Sequence, residues 1–183
     1  MKKQKFTVYD MVVIGMMAAV VYAATSIRVE IPTPMGKTMM HFATAACLIS
    51  GLLFGPVRGG LASGIGSFFF DILGGWASSA PFTLVFKFVI GFLAGLITGG
   101  KDCKLPRTLA ASAAGAYAYT VLYLTKDFIR DLLLGGAMET AIADVSVKAV
   151  TSLTNGTLAI VIATLLVPVL RKALVQAKVL KTA

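Results

Sequence analysis

The chain has 183 residues, 57% of them hydrophobic, a mean hydropathy of +0.86 and a formal net charge of +9. So apolar a composition excludes an ordinary soluble domain and points to an integral membrane bundle with little mass outside the bilayer. The basic residues gather in short segments between apolar runs, where membrane topology and anionic lipid explain them, so nucleic acid is excluded as a partner.

Lys2, Lys3 and Lys5 open the chain. Residues 9–26 form the first predicted span; the apolar run at 11–24 has no convincing cleavage site and reads as a retained helix rather than a signal peptide. Residues 27–37 (IRVEIPTPMGK) contain two prolines and a glycine and are expected to be a loop. The second and third spans are expected at 38–54 and 60–73, joined by the tight turn GPVRG. A loop at 74–81 carries the only tryptophan, Trp76, and precedes a fourth span at 82–98. The polar, basic segment GGKDCKLPR leads to a fifth span at 108–131, apolar to Leu124 and then amphipathic through Lys126, Asp127, Arg130 and Asp131. Gly135 and Gly136 break it. The sixth span is placed at 146–170, followed by Arg171, Lys172, Lys178 and Lys181. Cys47 lies within a span and Cys103 in a loop, so no disulfide is expected.

The predicted fold is therefore all-α: one membrane domain, residues 1–183, of six transmembrane helices, with both termini on one side. Eleven basic residues, Lys2, Lys3, Lys5, Arg58, Lys101, Lys104, Arg107, Arg171, Lys172, Lys178 and Lys181, fall on that side against Asp10 and Asp102. The other side and the spans balance in charge, so the positive-inside rule makes the termini cytoplasmic.

With that topology the ionisable groups inside the spans converge on one level near the outer surface. His41 sits at the mouth of span two, Asp71 near the outer end of span three and Lys87 about 9 Å into span four. Asn155 and Lys148 occupy the outer part of span six, and Lys126 the outer end of span five. A charge in hydrocarbon costs at least about 2.5–3.5 kcal/mol, so each is a candidate for function. The structural alternatives are interfacial snorkelling for Lys126, Arg130 and Lys148, an ion pair between Asp71 and Lys87, and a helix-to-helix hydrogen bond from Asn155. Small residues supply a second pattern. If Gly60, Gly64, Gly66, Gly91 and Gly95 fill the internal seams of spans three and four, the face of span one that carries Ala19 and Ala23 is left for another protein.

Several chemistries are missing. No nucleotide-binding loop, HExxH or GxSxG motif is present, and a single histidine gives no multi-histidine metal site. No catalytic residue, metal or bound cofactor is expected, and the chain is not read as an enzyme.

The stretch CLISGLLFGPVRGGLASGIGSFFFDILGG, followed by PFTLVFKFVIGFLAGLITG, resembles spans two to four of the S components of energy-coupling-factor (ECF) vitamin transporters. The resemblance implies a subunit in a prokaryotic plasma membrane that captures a small nutrient from outside. It implies docking, through Ala19 and Ala23, on a transmembrane T component with two cytoplasmic ATPases that use ATP. It places the ligand against Trp76, Lys87, Tyr119, Tyr123, Lys126 and Asn155, with His41, Asp71 and Lys148 as polar support. Thr44 stands where an asparagine is expected, so the substrate does not follow from a motif. Three lysines, Lys87, Lys126 and Lys148, favour an anionic ligand, with pantothenate first and pyridoxine or hydroxymethylpyrimidine next. Riboflavin and folate would call for more aromatic surface, and cobalamin for a wider mouth. The competing readings are a self-sufficient small-solute transporter or channel and a membrane scaffold without a ligand.

Overall fold

The computed structural model describes residues 6–180; Lys2, Lys3, Lys5 and Lys181, counted above in the basic face, lie outside the described residues. The helices are α1 (Val8–Ser26), α2 (Ala43–Phe54), α3 (Pro56–Leu73), α4 (Ala80–Thr98), α5 (Leu105–Leu133) and α6 (Met138–Gln176). Between α1 and α2 the chain forms an antiparallel hairpin of β1 (Arg28–Thr33) and β2 (Gly36–His41). The fold is thus mostly helical but not all-α. Residues 27–37 are not a plain loop, and 38–41 are strand rather than the start of a helix.

The hairpin has a local cause. Ile27, Val29 and Ile31 alternate with Arg28, Glu30 and Pro32, which is strand periodicity. The segment Pro34-Met35-Gly36 then turns the chain back, and Pro32 is tolerated because a two-stranded sheet has only edges. Glu30 lies diagonally across from Lys37 and bonds it at 2.8 Å, and Arg28 bonds the other Glu30 oxygen at 3.0 Å. The Lys37 hydrogen bond, with Arg28 adding, holds the Glu30 carboxyl below its usual range. This cross-strand clamp is present at neutral pH and is lost as pH falls through that depressed value.

Helix α2 is only 12 residues long, about 18 Å, too short to cross a hydrocarbon core of about 30 Å alone. Eleven of its residues, Ala43 to Leu53, are buried, and it packs against each of the other five helices. It is the axis of the bundle, and Val21, Leu48, Leu52, Ile90, Ala111, Ala116, Ala159 and Ala163 belong to the single apolar core around it. Helices α1, α4 and α6 are each long and apolar enough to cross a membrane.

Three glycines allow α2, α3 and α4 to meet backbone to backbone. A Cβ on Gly51 would collide with the Gly91 carbonyl, one on Gly91 with the Gly59 carbonyl, and one on Gly59 with the Gly51 backbone. Gly64 lies equally close to the Leu84 carbonyl, Gly66 to the Ala18 carbonyl of α1, and Gly95 to Gly55 and Pro56. Gly55, at φ +86°, ends α2 and starts α3 with no intervening loop, a geometry that a side chain would strain. Pro56 follows at the first helical position, where its missing N–H costs nothing.

Polar contacts sort the helix ends. At one end Asp10 of α1 completes a capping box with Thr7 and pairs with Arg58 of α3 at 2.5 Å. Arg171 of α6 donates to the carbonyls of Leu52 (2.7 Å) and Gly100 (3.0 Å), and Arg107 of α5 donates to that of Ile97 at 2.8 Å. These cations satisfy carbonyls left open where α2 and α4 finish. At the opposite end the hairpin folds back over the bundle. The Met35 N–H donates to Asp144 of α6 at 2.8 Å, and Asn155 Nδ2 donates to the Met39 carbonyl at 2.9 Å.

The glycine contacts yield a paired prediction. Gly91→Ala must separate α3 from α4 and should destabilise the purified protein by about 1–3 kcal/mol in thermal unfolding. Gly15→Ala, on α1 with nothing within 4 Å of the added carbon, should leave the melting temperature unchanged or slightly raised.

Candidate ligand-binding site

A cavity of about 270 Å³ lies at the hairpin end of the bundle. Its walls come from β2 (Lys37, Thr38, Met39, His41), α3 (Ser67, Asp71), the α3–α4 connection (Trp76, Ser78, Ser79), α4 (Phe82, Thr83, Phe86, Lys87), α5 (Tyr119, Tyr123, Lys126, Asp127, Arg130) and α6 (Ser152, Asn155). The shortness of α2 makes this space. Where a full-length helix would continue, the chain becomes a strand, and the neighbouring helices rise past it to form a cup.

The structure brings Trp76, Lys87, Tyr119, Tyr123, Lys126 and Asn155 together around this one space, with His41 and Asp71. Lys148 is not among the lining residues. It is 1% exposed and bonds Asp127 at 2.7 Å and Asp144 at 2.6 Å. Asp127 also takes Lys126 at 2.5 Å, and Asp131 takes Arg130 at 2.6 Å. Three bases and three acids thus cancel between α5 and α6, with Lys126, Asp127 and Arg130 in the cavity wall and Asp131, Asp144 and Lys148 not among its lining residues. Two of the three lysines behind the preference for an anion, Lys126 and Lys148, are therefore neutralised internally.

Lys87 is different. It is 3% exposed, and among the described residues no carboxylate lies within ion-pair distance of it. The Asp71–Lys87 ion pair considered from the sequence does not form. The Lys87 ammonium donates to Thr44 Oγ1 at 3.4 Å, a long bond, and rests 4.2 Å from the centre of the Tyr119 ring. Thr44 thus occupies the position where an asparagine was expected, and it serves this lysine.

Five aromatic side chains line the cavity: Trp76, Phe82, Phe86, Tyr119 and Tyr123. Tyr119 and Tyr123, one helical turn apart, are stacked with planes 4° from parallel and centroids 5.7 Å apart. Lys37 of the hairpin covers the face of Trp76 at 4.6 Å, so the hairpin and the α3–α4 connection touch across the opening. Sequence reading named Trp76 and both tyrosines but not Phe82, Phe86 or Ser67, nor Lys37, Thr38 and Met39. The latter three follow only once 36–41 is a strand whose residues reach the cavity. Alternation in 27–32 was the available signal.

Buried polar atoms of three lining residues have no protein partner: His41 Nδ1, Trp76 Nε1 and Ser67 Oγ. Unpaired buried donors and acceptors are costly, so their gathering around one space is what a bound molecule would satisfy. Among the described residues no cluster of His, Cys, Asp and Glu has the makings of a metal site, and Cys47 and Cys103 are free thiols.

An aromatic-walled cup set in the end of an apolar helical bundle has the makings of a small-molecule site in a membrane protein. Comparison with known families agrees: the model of the family described as "ECF-type riboflavin transporter, S component" matches residues 5–172, and the chain belongs to that family. Such S components are transport subunits that work with a T component and ATPases. The chain is also similar to a Pyrococcus woesei protein described as "Uncharacterized protein in gap 3'region". The two are 30% identical over 105 residues, which is 57% of this chain and 70% of that protein.

The charge cluster makes a prediction. Lys148→Ala would leave Asp127 and Asp144 buried without their shared cation and should cost about 3–5 kcal/mol in thermal unfolding. Adding Asp144→Asn should recover part of that loss. Equal melting temperatures for the wild type and Lys148→Ala would contradict the pairing.

Proposed function

We propose that this chain captures a flat nitrogen-heteroaromatic vitamin, riboflavin first, and presents it to an ATP-driven partner module for uptake. The observation that carries this is the aromatic wall of Trp76, Phe82, Phe86, Tyr119 and Tyr123 around a cavity with unsatisfied polar atoms. A planar ring stacks on such surfaces, and a few polar groups fix its orientation. The family's description names riboflavin and supports the same choice. Pantothenate loses ground: it has no ring to stack, and the positive excess that favoured it shrinks to Lys87. A second reading, a single-ring vitamin such as pyridoxine or hydroxymethylpyrimidine, draws support from the size of the cavity, about 270 Å³, below the usual lower bound of roughly 300 Å³ for small-molecule pockets.

The six-helix bundle spans a prokaryotic plasma membrane, with both termini inside, the cup facing out and the short α2 enclosed by the other helices. This orientation rests on the basic residues Arg58, Lys101, Lys104, Arg107, Arg171, Lys172 and Lys178, which cluster at the end opposite the cavity. The T component docks on α1. Gly15, Ala19 and Ala23 form an exposed row of small residues there, with Met16 and Val20 beside it, while the glycines of α3 and α4 are spent inside the bundle. ATP hydrolysis belongs to the two ATPase subunits, and this chain supplies no catalytic group.

Trp76 is the only tryptophan and lines the cavity, so its fluorescence reports occupancy directly. Riboflavin should quench it saturably, at one molecule per chain, and pantothenate should not. Quenching by pyridoxine or hydroxymethylpyrimidine alone would favour the smaller ring. Binding of pantothenate with riboflavin silent would overturn the proposal. The docking surface has its own test. Ala19→Trp with Ala23→Trp should abolish uptake driven by the partner module while leaving the fluorescence titration unchanged. Uptake by the reconstituted chain alone, without partners, would instead identify a self-sufficient transporter.

A further inference from the structure

We infer that Lys87 and Asp71 are a fixed pair of opposite poles that read a donor–acceptor edge of the ligand ring. The ring would have a carbonyl accepting from the Lys87 ammonium and an adjacent ring N–H donating to the Asp71 carboxylate. The inference rests on the reading of the cavity as the site for a flat heteroaromatic vitamin.

Both side chains line the cavity, and both are more than nine-tenths buried, Lys87 at 3% and Asp71 at 6% exposed. Every other charged residue of the lining is already paired: Lys37 with Glu30, Lys126 with Asp127, and Arg130 with Asp131. Lys87 and Asp71 have no ion-pair partner among the described residues, and they do not pair with each other. A buried charge without a partner is expensive, and two of opposite sign in one cavity would lower that cost by meeting. In the structure they do not meet. Asp71 belongs to α3 and Lys87 to α4, and these helices are in near-contact through Gly60 on Phe88 and Gly64 on the Leu84 carbonyl. With the two helices held together, the unpaired ammonium and carboxylate stand apart on neighbouring walls of one cavity, where a ligand between them would bridge them.

A ligand bridges them by offering an acceptor and a donor side by side. The pyrimidinedione edge of a flavin has that pattern, with a ring N–H flanked by carbonyls. Pantothenate has an anion but no ring N–H beside a carbonyl in a rigid plane. Lys87 therefore acts on the ring carbonyl, and Asp71 discriminates for the N–H.

The test is a titration cycle read by Trp76 fluorescence, using riboflavin and N3-methylriboflavin on the wild type, Lys87→Met and Asp71→Ala. Melting temperatures serve as the folding control. On the wild type, N3-methylation should weaken binding by about ten- to hundredfold, the scale of a hydrogen bond to a charged group. On Asp71→Ala that penalty should vanish. Lys87→Met should weaken both flavins by the same factor. If riboflavin binds the wild type but methylation costs nothing, or costs the same on Asp71→Ala, the inference is overturned while the flavin reading stands. If riboflavin does not bind the wild type, both fall.

Discussion

The meeting of three helix backbones at Gly51, Gly59 and Gly91 is the constraint on which the rest of the structure depends. In lipid there is no hydrophobic drive to hold apolar helices together, so close van der Waals contact between backbones must do that work. Each glycine is in contact with the next, and no one of them can take a side chain without moving a helix. The contact buries α2 on all sides and fixes α3 against α4. Because α2 is short, the seam also decides where the bundle is solid and where it is hollow.

Function follows from that division. Below the seam lie Ala94, Ala111, Ala163 and Val167, with arginines closing the helix ends. Above it the space left by α2 is roofed by a hairpin and walled by aromatic rings. The buried charges also divide. Lys126, Arg130 and Lys148 with Asp127, Asp131 and Asp144 form a neutral brace that ties α5 to α6, and the Met35 N–H of the hairpin turn bonds to it. Lys87 and Asp71 stay outside the brace. That separation sets the paired scaffold charges apart from the two cavity-lining charges that have no ion-pair partner among the described residues.

Much of this was legible in the sequence, and the exceptions have physical reasons. Glycine spacing in spans three and four picks out Gly64, Gly66, Gly91 and Gly95 but neither Gly51 nor Gly59 of the central seam, and Trp76, Lys87, Tyr119, Tyr123 and Asn155 stand out from the sequence as candidates. The hairpin was missed because Thr38–Phe54 reads as one hydrophobic run; period-two alternation in 27–32 outranked it and was passed over. Helix α6 starts at Met138, eight residues before the expected 146, so Asp144 falls inside the helix with Lys148. They are a buried pair one turn apart, invisible as such without their partner Asp127 on α5. The ligand preference leaned on a count of lysines. A count cannot show which charges are cancelled by neighbours distant in sequence, nor that five aromatic rings scattered over 76–123 face one space.

Native mass spectrometry of the gently purified protein, with an absorption spectrum of the same sample, tests the aromatic cup most directly. A single retained flavin, lost on unfolding, is the expected result. A retained ligand without an aromatic ring, or a cavity that stays empty and that no vitamin stabilises, would contradict it.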